Sequence, residues 1–164
     1  ITIICFLLTS LSLYAETGKV TGLKIPRFVS LKSDNVNLRV GPSTNYPITL
    51  KYISPNLPLE IIDEFDVWRQ ARDHNGTIGW LHKSLIKGER FILTGYKNEK
   101  EINLYNRPNG KIIGIIKKNN ILDLEICLIN WCKVSQNKIK GWLLKKMFGE
   151  FMILKFIMPN FISL

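Results

Sequence analysis

The chain has 164 residues and a formal net charge of +10 at pH 7. Residues 16–88 hold 10 basic and 7 acidic side chains, a net of +3, and residues 89–164 hold 13 and 6, a net of +7. Such an excess favours acidic partners such as anionic lipid, envelope phosphates or nucleic acid, although a Lys-rich composition alone also accounts for it. No Arg-rich cluster of the kind common in nucleic-acid-binding proteins is present.

The N-terminal 13 residues form an uncharged apolar run that ends shortly before Ala15 and Glu16. The run is shorter than the roughly 20 residues needed to span a bilayer, and a small residue at position 15 suits signal peptidase. We therefore expect residues 1–15 to be a signal peptide that lacks its N-terminal part, and an exported, periplasmic protein. An uncleaved segment that tethers the protein to the membrane is the alternative.

Short alternating segments separated by turn residues follow. Residues 35–40 place Leu38 on one face and Arg39 on the other, which is typical of a half-buried strand. Asn75-Gly76 predicts a tight hairpin. The remaining strands of the first half are predicted at residues 26–32, 48–53, 59–65, 67–72 and 77–82.

The second half repeats the first. Asn37-Leu38 recurs as Asn103-Leu104, Pro42 as Pro108, Trp68 as Trp131, and Gly79-Trp80-Leu81 as Gly141-Trp142-Leu143. A repeat of about 60 residues is a complete small domain rather than one layer of a solenoid. Strands are predicted at residues 102–105, 112–117, 121–127, 131–135 and 140–144, and no segment has a sustained helical period.

These patterns predict an all-β fold of two tandem small β-barrels, at residues 26–88 and 89–149. Domains of this size bury little surface, so we expect the two modules to touch. Residues 150–164 form an apolar tail, for which an anchor, a partner-binding segment and an altered reading frame stay open.

Six residues at matched positions of the two copies are predicted to build the cores. They are Leu38, Trp68, Trp80, Leu104, Trp131 and Trp142. Contact with a ligand is the alternative for the tryptophans. The candidate ligand-binding residues are Arg39, Tyr46 and Tyr52. Arg39 should be exposed and able to pair with a carboxylate, and the two tyrosines lie at or near loops, where each offers an apolar ring and a hydroxyl.

Cys127 and Cys132 flank a predicted hairpin tip at Ile129-Asn130. Residues opposite each other across antiparallel strands lie at a separation that a disulfide can bridge, and export favours the bond. We expect a structural disulfide. A metal site or a Cys-His pair would need His74 or His82, which belong to the other copy. No metal and no cofactor is expected.

The sequence contains no set of residues that supports catalysis. A Cys-His-polar triad, a matched pair of carboxylates and a Gly-rich phosphate loop are all missing. The acidic segment at residues 63–66 is interpreted as a solvated strand end and loop. We therefore predict that the protein is not an enzyme.

The chain resembles the bacterial SH3-like domain proteins. The residues that carry the resemblance are Asn37 to Ser43, Trp68, Gly76 and Gly79-Trp80-Leu81. The exported tandem subgroup of alphaproteobacteria is the most similar, through Pro26 to Lys32, Leu57 to Glu60, Glu64-Phe65, and Cys127 with Trp131-Cys132. The second copy departs from the pattern, with Tyr105 and Asn106 in place of Arg39 and Val40, so the first module is the better candidate for binding.

The resemblance implies an SH3-like fold used as a non-catalytic binding or adaptor module of the cell envelope. Its partner would be peptidoglycan, cell-wall peptides or an envelope protein, with peripheral contact to anionic membrane or wall polymers also open. Two other functions are weighed against this one. They are a basic nucleic-acid-binding small-barrel protein, which the export signal disfavours, and an auxiliary domain of a cell-wall hydrolase.

Overall fold

The structure is a computed structural model that describes residues 16–95 and 100–147. These residues form thirteen β-strands in two sheets and two single-turn 3-10 helices, so the predicted all-β fold class is confirmed. Within the described ranges, no helix is long and apolar enough to cross a membrane. The predicted signal peptide and the apolar tail at residues 150–164 lie outside the described residues.

The first sheet has seven strands in the order β3-β2-β6-β5-β4-β1-β7. They are β1 (Arg27–Leu31), β2 (Val36–Arg39), β3 (Ile48–Tyr52), β4 (Pro58–Phe65), β5 (Trp68–Arg72), β6 (Ile78–His82) and β7 (Ile86–Lys87). All pairings within the sheet are antiparallel. A 3-10 helix at Lys83–Leu85 connects β6 to β7.

The second sheet repeats the strand order of the first with one strand fewer, as β10-β9-β13-β12-β11-β8. Its strands are β8 (Phe91–Leu93), β9 (Glu101–Tyr105), β10 (Ile112–Lys117), β11 (Ile121–Cys127), β12 (Trp131–Gln136) and β13 (Ile139–Leu144). β8 stands beside β11 as β1 stands beside β4. A second 3-10 helix, Lys145–Met147, follows β13 as the first follows β6.

Both sheets are open, whereas the sequence predicts closed barrels. Hydrogen bonding stops at β3 and β7 in the first sheet and at β10 and β8 in the second. The edge strand β3 is exposed at Ile48 and Leu50, and β10 is exposed at Ile113 and Ile115. The strands predicted for both halves are present, and the short strands β7 and β8 are additional to them.

The turns follow the predicted chemistry. Asn109, Asn119 and Asn137 have φ angles of 56°, 63° and 54°, which asparagine tolerates better than most residues. Gly76 has a φ of 85° in the loop between β5 and β6, where a side chain would be strained. The hairpin predicted from Asn75-Gly76 is therefore present, with Asp73 and Thr77 closing its loop.

Each sheet encloses an apolar core, and the two cores meet. Leu93 of β8, a strand of the second sheet, is buried in the core of the first sheet, and Ile121 packs against it. Phe28 of β1 packs in the opposite direction against the second core. The Ser30 hydroxyl adds a hydrogen bond of 2.7 Å to the Glu89 carbonyl. The expectation that the two halves touch agrees with these contacts.

Candidate functional site

Arg39 and Trp80 lie side by side on the outer face of the first sheet. Arg39 of β2 is in register with Trp80 of β6 and, on its other side, with Ile48 of β3. Successive side chains of a strand point to opposite faces, so Arg39 faces away from Leu38, which is fully buried. Opposed residues on adjacent strands have Cβ atoms about 5 Å apart. A guanidinium and an indole therefore share one patch.

The loop between β2 and β3 holds the Arg39 guanidinium in place. Its Nη1 donates a hydrogen bond of 2.7 Å to the carbonyl oxygen of Tyr46. The Tyr46 ring lies over Gly41, where it would overlap any added Cβ, and its side chain is 45% exposed. Across residues 16–95 and 100–147, the guanidinium has no further hydrogen bond or ion pair. Its remaining N–H groups are therefore available to a carboxylate ligand.

Trp68 and His82 extend this patch toward the end of the sheet. The two residues are in register, and their rings meet edge to face with centroids 5.7 Å apart. Nδ1 of His82 accepts a hydrogen bond from the Ser84 backbone and lies 2.7 Å from its hydroxyl oxygen. An acceptor role for Nδ1 places the ring proton on Nε2 in neutral histidine. We call Arg39, Tyr46, Trp68, Trp80 and His82 the aromatic face.

Tyr52 does not belong to the aromatic face, which corrects its assignment as a ligand-binding residue. It is buried, and its hydroxyl donates a hydrogen bond of 3.1 Å to Oδ2 of Asp73. Burial, together with the negative charge of Asp73, raises the pKa of Tyr52 well above its usual range. Oδ1 of the same Asp73 accepts from the backbone N–H groups of Asn75 and Thr77. Tyr52 therefore stabilises the β5–β6 loop from within the core.

The six predicted core residues divide into two groups. Leu38, Leu104 and Trp131 are buried, with exposures of 0%, 3% and 8%. Trp68, Trp80 and Trp142 are only half-buried. The assignment of Trp68 as a largely buried core residue is corrected, because in β5 it is Arg69 and Ala71 that face inward. Trp68 and Trp80 instead present ring surface on the outer face.

The second sheet carries a different set of side chains at the equivalent places. Tyr105 is in register with Trp142, as Arg39 is with Trp80. The Tyr105 ring meets Trp131 edge to face, with centroids 5.1 Å apart. This contact covers Trp131, whereas Trp68 has no tyrosine beside it. The second sheet therefore lacks the cation of the aromatic face and buries its tryptophan.

Glu64, in the acidic segment that the sequence suggests is solvated, is a buried ionic centre. Its side chain is 0% exposed and lies 2.7 Å from Nη2 of Arg27 and 3.5 Å from Nε of Arg69. It also accepts hydrogen bonds from the backbone N–H groups of Val20 and Thr21 and from the Thr21 hydroxyl. Glu64 thus joins the N-terminal segment to β1 and β5, and the interpretation of a solvated loop is wrong for this residue.

The ionisation of Glu64 follows from these contacts. Burial by itself raises the pKa of the carboxyl group, but the hydrogen bonds from Thr21, Arg27 and Val20 outweigh it and lower the pKa to about 2. Glu64 is therefore charged at neutral pH, and each of its oxygens is engaged. A residue in this state stabilises the fold and is not free to act as an acid or a base.

The predicted disulfide between Cys127 and Cys132 is present. The two residues are opposite each other in the β11–β12 pairing, with Cα atoms 4.1 Å apart. The hairpin geometry expected from the sequence is therefore confirmed. In the part of the chain that the structure describes, no group of three or more His, Cys, Asp or Glu side chains could hold a metal ion.

His82 and its partner Ser84 are functional candidates that the sequence interpretation passed over. Alternation in Ile78–His82 places Ile78, Trp80 and His82 on one side and buried Gly79 and Leu81 on the other. That pattern was available from the sequence. The contact of His82 with Trp68 depends on the register of β5 and β6, which the sequence does not specify.

Comparison with known proteins gives one match to a family. Two solved structures, NlpC2 and NlpC1 from Trichomonas vaginalis, are each 15% identical to this chain with a TM-score of 0.30. The alignments cover 76% and 88% of this chain but 48% and 50% of those proteins, so this chain spans about half their length. No curated protein matches. The family model described as the bacterial SH3 domain matches residues 32–88, which supports a bacterial SH3-like protein.

Proposed function

We propose that this protein is a non-catalytic binding module of the bacterial cell envelope that recognises peptidoglycan or its peptides through the aromatic face. The observation that carries the proposal is the pairing of Arg39 with Trp80 beside exposed Tyr46, inside the range that matches the bacterial SH3 domain. The proposal includes export to the periplasm and two tandem SH3-like modules, at residues 26–88 and 89–149. The first module is the binding one.

The chemistry of the aromatic face suits a cell-wall fragment. Wall peptides carry carboxylates, and a guanidinium with open N–H groups binds a carboxylate through two parallel hydrogen bonds. The flat rings of Trp80 and Tyr46 offer apolar surface to a sugar ring or an alanine methyl group, and Tyr46 adds a hydroxyl. Because Arg39 is held by the Tyr46 carbonyl, little side-chain freedom is lost when a ligand binds.

A catalytic role has less support from the same residues. His82 lies beside the Ser84 hydroxyl, but among the described residues no carboxylate binds Nε2 to orient its ring, and Glu64 is fully occupied by its buried ionic contacts. Two other carboxylates of β4 are in ion pairs, Glu60 with Arg72 and Asp63 with Lys19. A general acid or base would need a free group near a nucleophile or a water.

Retention on purified, insoluble peptidoglycan tests the proposal. The wild-type protein should sediment with peptidoglycan more strongly than an unrelated basic protein of similar net charge. Trp80→Ala and Arg39→Ala should each reduce retention about tenfold or more, as expected for the loss of a central anchor. Arg39→Lys keeps the charge but not the fork geometry, and it should fall between wild type and Arg39→Ala.

The second sheet supplies matched controls. Trp142→Ala removes the equivalent tryptophan, and Arg107→Ala removes one exposed positive charge outside the aromatic face. Both variants should retain wild-type binding. Equal loss in Trp80→Ala and Trp142→Ala would contradict a site on the first sheet. Equal retention of the wild-type protein and the unrelated basic protein on peptidoglycan would show that positive charge alone accounts for the binding. Recovery of the native protein in the cytoplasmic fraction would contradict the envelope location.

A further inference from the structure

The tip of the β11–β12 hairpin is an apolar surface with a fixed shape. The disulfide between Cys127 and Cys132 closes the loop, and Leu128 N–H donates a hydrogen bond of 2.7 Å to the Trp131 carbonyl. The loop at residues 128–130 is therefore tied at its base by one covalent and one hydrogen bond. A loop held in this way loses little conformational entropy when it binds.

The side chains that this loop presents are large and apolar. Ile129 is 86% exposed, which is the highest value among the large hydrophobic residues that the structure describes. Leu128 is 46% exposed and Ile126, just before the disulfide, is 53% exposed. Scattered single apolar residues are ordinary at a surface, but here three exposed ones lie within four residues of one rigid tip. Transfer of these side chains from water into an apolar phase is therefore favourable.

An exposed lysine lies beside the tip, on a half of the chain that is positively charged. The Lys145 backbone N–H donates a hydrogen bond of 2.9 Å to the Asn130 carbonyl, which places exposed Lys146 next to the loop. Residues 100–147 hold 10 basic and 3 acidic side chains, a net of 10 − 3 = +7. One of the three acids, Glu125, is already neutralised by Lys133 and Lys140 at 3.6 and 2.6 Å. The second half of the described chain therefore carries a net positive charge, and Lys146 brings part of it next to the tip.

We propose that the tip at residues 126–130 inserts into the headgroup region of an anionic lipid bilayer, with Lys146 on the lipid phosphates. An apolar tip beside a lysine, on a positively charged half of the chain, combines burial in the acyl boundary with attraction to an anionic surface, the two contributions that hold peripheral proteins on membranes. A projecting tip suits a deformable apolar phase better than the preformed groove of a protein. This surface is separate from the aromatic face and does not depend on it.

Co-sedimentation with lipid vesicles tests the proposal on the full chain. Vesicles of phosphatidylcholine with phosphatidylglycerol should bind the wild-type protein, and vesicles of phosphatidylcholine alone should bind it at least about tenfold less, because attraction of Lys146 and of the net positive charge to anionic lipid is lost. Ile129→Asp should lower binding to the anionic vesicles about tenfold or more. Lys146→Glu should lower it as well, and added salt should weaken the remaining binding.

Ile53→Asp is the matched control, because Ile53 is 75% exposed and follows β3 in the first sheet. It adds the same negative charge and should bind the anionic vesicles nearly as well as wild type. Unchanged melting temperatures would show that each variant is folded, and the milder Ile129→Ser replaces Ile129→Asp if that variant unfolds. Equal loss in the Ile129 and Ile53 variants, or equal binding of wild type to neutral and anionic vesicles, overturns the proposal. Peptidoglycan retention should be unchanged by Ile129→Asp, so this test and that of the proposed function fail separately.

Discussion

Glu64→Gln is the substitution that most directly tests how the N-terminal segment is held. Glutamine has nearly the same shape, so the change removes the negative charge and leaves Arg27 and Arg69 without their buried counter-ion. Removal of one partner from a buried ion pair costs about 3 to 5 kcal/mol. The pKa of Glu64 gives a second route to the magnitude. A fall from the usual 4.5 to about 2 corresponds to about 3 kcal/mol of stability at neutral pH.

The pH dependence separates this charge effect from simple packing damage. Because folding lowers the pKa of Glu64, its contribution is complete above about pH 5 and is lost as the pH falls toward 2. Urea unfolding followed by tryptophan fluorescence should therefore show a large difference in the free energy of unfolding between wild type and Glu64→Gln at pH 7. This difference in the free energy of unfolding should be smaller at pH 2.5, where the wild-type carboxyl group is itself partly protonated.

Glu125→Gln is the control for the loss of a paired carboxylate at the surface. The hydrogen bond from Lys140 lowers the pKa of Glu125, but the group is exposed and its ion pairs are screened by water. This variant should unfold at nearly the same urea concentration as wild type. Trypsin should cut Glu64→Gln faster than wild type at Lys19 and Lys24, since the segment they occupy is held by Glu64. A gap that is the same at pH 7 and pH 2.5, or an equal effect of Glu125→Gln, would refute the reasoning.

Two further predictions concern the second sheet. Trp131→Ala should destabilise the protein by about 3 to 5 kcal/mol. Trp68→Ala should cost distinctly less because the Trp68 ring is half-buried. A comparison of the unfolding midpoints of the two variants checks the difference. The disulfide closes a short loop with a sequence separation of 5, so the double replacement Cys127→Ser, Cys132→Ser should cost about 2 kcal/mol. Intact mass before and after reduction counts the bond, and free thiols in protein recovered from the periplasm would contradict it.

Local patterns in the sequence were sufficient for the turns, the disulfide and all strands except the short β7 and β8. The alternation around Leu38 and the glycine and asparagine turns depend on neighbours in the chain, and the structure reproduces them. The Cys127–Cys132 pairing needs only a hairpin tip between the two residues. Closure of a barrel depends on how the outermost strands meet, which no local pattern encodes, and there the expectation differs from the open sheets.

The wrong face for Trp68 has a specific cause. In Trp68–Arg72 a reader places tryptophan inside and arginine outside, yet Arg69 is 4% exposed and Trp68 faces outward. Arg69 can turn inward because Glu64 and the carbonyl oxygens of Asp66 and Trp68 satisfy it there. Glu64 is in turn held by Thr21, more than forty residues away. A buried charge that depends on such a distant partner cannot be recognised from alternation.

The cost of burying a charge also explains why two sheets of one strand order expose different side chains. Arg39 is in register with Trp80 in the first sheet, and Tyr105 is in register with Trp142 in the second. Tyr105 packs its ring on Trp131 and buries the Trp131 ring, so this aromatic surface stabilises the fold and is not exposed to a ligand. Arg39 cannot fill that role, because a guanidinium is costly to bury without a partner, and it bonds to the Tyr46 carbonyl instead. The ring surfaces of Trp68 and Trp80 consequently stay available, and this difference between the copies supports our proposal that the binding face lies on the first sheet.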